Sequence, residues 1–205
     1  MAKIRLTKGE LKRQRDSLKQ FERYLPTLQL KKQQIMIEIQ RLRIELNEKL
    51  KEIEIFQRKI KIWVGLLVER SKDFNSWVKP RNIIVKTINI ASVDLPVLER
   101  VEFGKVEYDL FSTPLWVDTA IKKIQGLIIL IEETRVLKTQ VKLLQEELRI
   151  TTQRVNLLEK VKIPECRENI RKIRIYLGDQ QTNAVGRSKL AKNKIAQAVA
   201  EGAVA

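Results

Sequence analysis

A heptad repeat of apolar residues is the strongest constraint that this sequence places on its fold. Apolar side chains recur at alternating steps of three and four residues from Leu11 to Leu67, with interruptions at Gln14, Lys32 and Lys49. A 3.5-residue repeat of this length predicts a left-handed coiled coil. We expect the seam of the first helix to contain Leu11, Leu18, Leu28, Ile35, Ile39, Leu42, Leu46 and Ile53.

The same repeat returns in the second half of the chain, from Leu127 onward. Two helical arms separated by a middle region predict an antiparallel hairpin of helices. Pro26 and Pro164 are expected to kink or interrupt these arms, because proline removes a backbone donor and clashes with the preceding turn. Around Pro164 the seam resumes one residue out of step, at Ile163 and Cys166. The second seam is predicted to contain Leu137, Val141, Leu144, Leu148, Val155 and Leu158.

The helical repeat is absent from the middle of the chain, where β-branched residues alternate with polar ones. This pattern predicts two short strands, one within 83–90 and one within 101–108, with a turn at 94–96. We expect this β-hairpin to lie across the end of the coiled coil. Thr113 and Pro114 then fit the N-cap and first position of a new helix.

The fold class predicted from these patterns is mainly α, with a long antiparallel two-helix coiled coil and a small middle region of short strands. The expected division is an N-terminal coiled-coil helix at 1–79, a middle region at 80–112 and a C-terminal coiled-coil helix with a basic tail at 113–205.

Charge is distributed unevenly along the 205 residues, whose net charge is +16. Residues 1–62 carry +9, residues 63–159 carry +1 and residues 160–205 carry +6. An antiparallel hairpin would bring the two basic ends together at one tip, and such asymmetry points to an acidic or anionic partner. We expect the tip to present Arg13, Arg15, Arg187, Lys189, Lys192 and Lys194.

The composition argues against most kinds of catalysis. The chain has no histidine and therefore no Ser-His or Cys-His pair and no imidazole base. Its one cysteine, Cys166, supports neither a disulfide framework nor a thiolate cluster, and its place on the apolar seam indicates a buried side chain. Glycine-rich phosphate-binding motifs are absent. We predict no catalytic, cofactor-binding or metal-binding residues.

The longest apolar stretches of the sequence are short. They are far shorter than the roughly 20 residues that a membrane span needs, so we expect no direct membrane insertion. The single cysteine fits a reducing cytosolic compartment.

Aromatic residues concentrate in the middle of the chain, which holds all three tryptophans. Aromatic anchors are enriched at protein interfaces. The alternative is that these rings only pack the small globular end, and the sequence leaves both roles open. The residues predicted to dock a partner are Trp77, Trp116, Phe103 and Tyr108.

Four stretches carry a resemblance to a known family. The most specific is residues 154–164, with the pattern RVN-LE-V-IP, which continues through 170–181. The others are residues 6–8 with the basic run 11–19, residues 25–31, and residues 89–96 with 113–118. In these stretches, over essentially its full length, the chain resembles the D subunit of the V-type and A-type rotary ATPases (ATP synthases), particularly the eubacterial branch. Ser92 stands where the family pattern has glycine.

The resemblance implies a role that periodicity alone does not supply. It implies a non-catalytic central-stalk rotor shaft, located in the cytoplasm and peripheral to the membrane. The terminal helices would lie inside a catalytic ring of A and B subunits. The middle region would meet the F subunit and the socket subunit (C or d) above the membrane ring. The direction of ATP chemistry and the transported ion stay open.

The residues by themselves also fit other roles. A basic coiled coil that binds nucleic acid is one, although aromatic residues are not interleaved with the basic runs as base stacking requires. A prefoldin-like chaperone, which joins two helices through β-hairpins, is another. A membrane-surface helix fits less well, because the apolar stripe is narrow. On the resemblance, we expect no nucleic acid among the partners.

Overall fold

The computed structural model describes residues 4–62, 65, 77–105 and 116–202. Within these residues, helix α1 spans Lys8–Lys61 and strands β1 and β2 span Pro80–Ile90 and Val93–Phe103. Helix α2 spans Trp116–Leu157, a π-helical segment spans Leu158–Lys162, and helix α3 spans Ile163–Gly202. The predicted fold class, mainly helical with a two-stranded middle region, is confirmed.

The chain divides into two compact units. The terminal unit contains Met1–Leu30 and Thr152–Ala205, and the hairpin unit contains Lys31–Thr151. Each unit pairs part of α1 with a later helix.

The hairpin unit is built on an antiparallel pair formed by α1 and α2. The Lys31 Nζ atom lies 2.9 Å from Glu147 Oε1, and the Lys49 Nζ atom lies 3.0 Å from Glu133 Oε2. Residue numbers therefore rise along one helix as they fall along the other. Between the helices lies a buried apolar cluster of Ile35, Ile39, Leu42, Leu95, Leu137, Val141 and Leu144.

The β-hairpin packs on the side of this helix pair. Leu95, on β2, has no exposed surface and belongs to the same cluster as the helical seam residues. The buried Gln140 side chain donates from Nε2 to the Pro96 carbonyl oxygen at 2.5 Å. The prediction that the hairpin lies across the end of the coiled coil is therefore wrong. The buried Leu95 side chain and the buried Gln140 amide fix the position at which the hairpin docks. The alternation of residues along a strand predicts neither contact.

The hairpin turn lies earlier than the sequence indicated. Ala91 and Ser92 form the turn, whereas Asp94 and Pro96 belong to β2 and pair with Asn89 and Thr87. The second strand is consequently 93–103, not 101–108, of which 106–108 lie outside the described residues. Proline is tolerated in β2 because both strands of a two-stranded sheet are edge strands. The aspartate–leucine–proline sequence therefore resembled a turn without forming one.

Helix α1 is continuous through Pro26, so the predicted break there is absent. Pro26 lies on an exposed position, where water can satisfy the carbonyl group that loses its backbone donor. The Thr27 hydroxyl also donates to the Tyr24 carbonyl oxygen at 2.8 Å, which adds a local hydrogen bond at this point.

The terminal unit pairs the beginning of α1 with α3. Arg167 and Glu22 form an ion pair between the two helices at 2.9 Å. Thr7 caps α1, because its Oγ1 accepts a hydrogen bond from the Glu10 backbone N–H at 3.3 Å. The buried residues on the α3 side are Val155, Ile163, Cys166, Asn169, Ile170 and Ile173.

The π-helical segment accounts for the one-residue step in the second seam. The Ile163 N–H donates to the Leu158 carbonyl oxygen, five residues back instead of four. One extra residue is thereby accommodated, and Ile163 and Cys166 face inward together with Val155. Pro164, at the second position of α3, has no N–H to give to the preceding turn.

Replacement of Ser92 by glycine should stabilise the protein. Ala91 and Ser92 have φ angles of 52° and 64°, a conformation that strains an L-residue and that glycine adopts freely. We expect Ser92→Gly to raise the free energy of unfolding by about 0.5–1 kcal/mol, measured by chemical denaturation. Thr87→Gly, on exposed β1, is the matched control and should lower it. Equal destabilisation by both glycines would contradict this account.

The π-helical segment should be dispensable if the one extra residue that it accommodates in the seam is deleted. Deletion of Lys160 together with Pro164→Ala restores an unbroken three–four spacing from Val155 through Cys166. We expect thermal unfolding, followed by circular dichroism, to shift by only a few degrees, about 3 °C or less.

The control for this prediction is deletion of Lys142 in α2, where the seam spacing is regular and contains no extra residue. That deletion should rotate Leu144 out of the core and cost about 3 kcal/mol or more. If the Lys160 deletion were as damaging as the Lys142 deletion, the link between the π-helical segment and the register would be refuted.

Candidate functional site: the helix seams and the C-terminal extension

The residues predicted for the seam have low exposure in both units. In α1, four of them are buried, and in α2 another four are buried. The others are half-buried, so the inward face follows the heptad pattern along both arms. The buried residues are Ile35, Ile39, Leu42, Ile53, Leu137, Val141, Leu144 and Val155, and the half-buried ones are Leu11, Leu18, Leu28, Leu46, Leu148 and Leu158.

Lys49 lies at a seam position in the hairpin unit and forms ion pairs there. Its Nζ atom lies 3.0 Å from Glu133 and 3.5 Å from Glu52. The pKa of Lys49 is raised, chiefly by the Glu133 carboxylate, while partial burial acts in the opposite direction. The contact is close but poorly aligned, since the buried Glu133 Oε2 accepts no well-formed hydrogen bond within the described residues. The interaction is therefore an ionic contact.

Two buried threonines satisfy their hydroxyl groups within their own helix. Thr134 donates to the Leu130 carbonyl oxygen at 2.8 Å, and Thr151 donates to Glu147 Oε1 at 3.5 Å. A hydroxyl that is already bonded locally can lie in an apolar seam at little cost. These residues therefore need no ligand to explain their burial.

Cys166 is buried on the seam of the terminal unit. Burial raises the pKa of its thiol, and the neighbouring Glu165 raises it further, whereas Lys162 acts in the opposite direction. The thiol is accordingly protonated at neutral pH and is a poor nucleophile. Its contribution is packing.

The C-terminal part of α3 extends beyond its partner in the terminal unit. Lys8, at the start of α1, lines the same surface cavity as Gln181 and Arg187. Beyond that level α3 continues to Gly202, a further length of about 25 Å at 1.5 Å per residue. Every side chain from 178 to 199 is exposed. We call residues 184–202 the C-terminal extension.

The six basic residues predicted for one tip do not lie at one level. Arg187, Lys189, Lys192 and Lys194 are exposed on the extension, whereas Arg13 and Arg15 are exposed beside the paired part of α1. With Glu22 opposite Arg167, Arg13 lies about 27 Å from Lys194 along the helix axis. Arg13 is also near Glu10, at 3.8 Å. The charges therefore form a strip along the terminal unit.

The extension also carries apolar side chains that the sequence reasoning did not single out. Val185, Leu190, Ile195 and Val199 are each more than half exposed. Their signal in the sequence was present but weak, because alanines and lysines between them obscure a clear periodicity.

The structure describes three of the four aromatic residues predicted for docking. Trp77 and Trp116 pack against a buried cluster of Val78, Val117 and Ile121 in the hairpin unit. Gln125 Nε2 donates to the Trp77 carbonyl oxygen at 3.1 Å, which ties this corner to α2. Phe103 is half-buried at the end of β2. Tyr108 and the predicted helix start at Thr113 and Pro114 lie outside the described residues.

The described part of the chain also bears on metal binding and on membranes. Among those residues, no group of three or more aspartate, glutamate or cysteine side chains could hold a metal ion. No helix described in the structure is both long enough and apolar enough to cross a membrane.

Comparison with known proteins identifies the family. The family model for the D subunit of ATP synthase matches residues 10–193. A protein named as the D subunit of a V-type ATP synthase, from Borreliella burgdorferi, is 48% identical over 199 residues, covering 95% of this chain and 96% of that protein. Proteins of the same name from Chlamydia pneumoniae and Chlamydia muridarum are 32% and 33% identical, each over at least 96% of both chains. The chain belongs to the family of ATP synthase D subunits.

Proposed function

We propose that this chain is the central-stalk rotor shaft of a V/A-type ATPase. In this role it transmits rotation between a catalytic ring of A and B subunits and the ion-translocating membrane sector, and it is itself non-catalytic. The proposal places it in the cytoplasm as a peripheral part of the complex. It is supported by membership of the family of ATP synthase D subunits and by the form of the terminal unit.

The C-terminal extension is the observation that carries the proposal. A single helix of this length is only marginally stable in water, because most helix stability in proteins comes from tertiary packing. The extension nonetheless exposes four large apolar side chains among its lysines and one arginine. Protein that surrounds the extension on several sides would supply the missing contacts. The interior of a ring of A and B subunits is such a surrounding.

The paired helices suit a part that carries torque. In each unit a close-packed seam holds two helices side by side, and close-packed interiors transmit strain because they compress little. Cross-helix ion pairs at Lys31–Glu147 and Arg167–Glu22 add contacts outside the seam. The Arg167–Glu22 pair is exposed, and exposed pairs contribute little stability, while the Lys31–Glu147 pair is only partly buried. The resistance to twisting therefore rests on the apolar seam.

The middle of the chain is the proposed docking region for the other stalk components. Trp77, Trp116, Phe103 and Tyr108 are the residues proposed to meet the F subunit and the socket subunit (C or d). The packing of Trp77 and Trp116 on the Val117 cluster is compatible with this role, since anchors held by a rigid support lose little entropy on binding.

The alternative functions receive less support. The nucleic-acid-binding alternative rested on the basic charge, and the prefoldin-like alternative rested on two helices joined through β-hairpins. Membership of the family of ATP synthase D subunits favours the rotary machine over both.

Neutralisation of the extension should weaken assembly or coupling. We expect Arg187, Lys189, Lys192 and Lys194, all changed to glutamine, to lower the yield of assembled complex or the ion pumping per ATP hydrolysed by roughly 3–10-fold. The reason is that these exposed charges would attract the surrounding ring over a distance. The measurement is reconstitution of the complex, followed by assays of pumping and hydrolysis.

The matched control removes the same charge elsewhere. Lys122, Lys138, Lys142 and Arg149 are exposed on α2, and their change to glutamine should leave assembly and coupling intact. Full assembly and coupled pumping in the extension variant would rule out the role proposed for these four charges.

A further inference from the structure

A cleft lies between the β-hairpin and the α1–α2 pair in the hairpin unit. The hairpin is held to the helices by Leu95 and by the hydrogen bond from Gln140 to the Pro96 carbonyl oxygen. Beside this attachment, a space of about 470 Å³ remains open between the hairpin and the helices. Pockets that bind small molecules have volumes of about 300–1,000 Å³. The cleft is therefore large enough for a small organic ligand.

Much of the cleft wall is apolar. Leu42, Val136 and Leu137 contribute from the helices, and Ile88 and Val97 contribute from the hairpin. Ile88 keeps 39% of its surface exposed, although its cross-strand partner on the same face of the hairpin has no exposed surface. An apolar group bound in the cleft would cover such surface, and removal of apolar surface from water is favourable.

The charged residues of the cleft are acidic on balance, in contrast with the chain as a whole. Three glutamates and two cations line it, which gives a formal charge of −1 within a chain of +16. Arg41 lies 3.8 Å from Glu38, and Lys49 lies 3.0 Å from Glu133. Both cations therefore already face a carboxylate, and the third glutamate, Glu45, is left over.

Two carboxylates of the cleft have acceptor capacity that the described part of the chain does not use. Glu45 forms no ion pair there, and it lies one turn before Lys49 on α1. Glu133 Oε2 is buried and accepts no well-aligned hydrogen bond there. The charge of Lys49 is shared with Glu52, at 3.5 Å, so the carboxylates around it keep a negative excess. An ammonium group, which carries three donors and a positive charge, matches these acceptors.

We propose that the cleft binds a small organic cation, in which a protonated amine is carried by an apolar ring or short chain. The apolar part would lie against Ile88 and Val97, and the amine would donate to Glu45 and Glu133. An anionic ligand would meet the acidic excess, and a neutral ligand would leave the carboxylates without a new donor. The inference concerns binding of a small molecule by this chain alone, so it holds or fails independently of the rotor role.

Titration of the full chain with three matched probes tests the inference. Phenylbutylamine, phenylbutanol and phenylbutyrate share one apolar body and differ in the charge of the end group. Isotope-labelled isoleucine methyl groups report binding by NMR. The reporter in the cleft is Ile88, and the control is Ile83, which is 40% exposed on the same strand but does not line the cleft.

We expect the amine to shift the Ile88 signal until it saturates, with a dissociation constant of about 1–5 mM, and to leave the Ile83 signal unchanged. The alcohol should bind about fivefold more weakly, because a hydrogen bond from a charged donor is the stronger one. The carboxylate should bind no better than the alcohol, since it meets like charge.

Three results would overturn the inference. Equal affinity for the amine and for either of the other probes would show that the acidic residues play no part. A shift that does not saturate would show that no defined site exists. Equal shifts at Ile83 and Ile88 would show that the probe binds the surface without selectivity.

A substitution at Glu45 tests the charge contact. Glu45→Gln should weaken binding of the amine by about threefold and leave binding of the alcohol unchanged. The matched control is Glu54→Gln, which removes the same charge from an exposed position of the same helix. The two residues are nine positions apart, which is two and a half turns, so they lie on opposite faces of α1. Unchanged affinity in Glu45→Gln, or an equal loss in both variants, would refute the contact.

A substitution at Ile88 tests the apolar contact. Ile88→Thr should weaken binding of both the amine and the alcohol by about threefold, with Ile90, which also lines the cleft, as the reporter. Ile83→Thr is the matched control and should change neither affinity. Threonine keeps the β-branched shape that suits a strand, so the thermal midpoints of the two variants should agree within about 2 °C. Full binding in Ile88→Thr would contradict the proposed position of the ligand.

Discussion

The apolar seam between two antiparallel helices is the contact on which the rest of the structure depends. In the hairpin unit, Ile35 and Leu144 lose all exposure in that contact. At about 1.5–3 kcal/mol for each fully buried large apolar side chain, burial along the seam exceeds what surface ion pairs contribute. The β-hairpin uses the same contact, because Leu95 enters the cluster formed by the seam. Where this seam continues, the helices continue with it, even through Pro26.

Departures from regular helix are arranged so that the seam is preserved. The π-helical segment adds one residue before Pro164, and Ile163 and Cys166 therefore remain buried. Thr134 and Thr151 bond within their own helix, and Lys49 pairs with Glu133. The two threonine hydroxyls are thus bonded locally, and Lys49 is held by an ionic contact across the seam. A mechanical role for the chain is consistent with this arrangement, since the family match points to a component of an ATP synthase.

The surfaces that remain exposed differ in character between the units. In the terminal unit, the C-terminal extension presents cations and large apolar side chains together around a single helix. In the hairpin unit, the isoleucines Ile37, Ile44 and Ile55 are exposed on α1.

The sequence alone determined the helices, their seam and the two-stranded middle region, because a 3.5-residue repeat and β-branched alternation are local patterns. It also located the register step near Pro164, though not the π-helical segment that absorbs it. Only the tertiary structure decided where the hairpin docks, since the partnership of Leu95 and Gln140 with distant residues has no local signature. Likewise, whether an isoleucine such as Ile44 faces solvent or core depends on which face α2 and the hairpin cover. The basic ends were visible in the composition, but their separation along the terminal unit follows from how far α3 extends beyond α1.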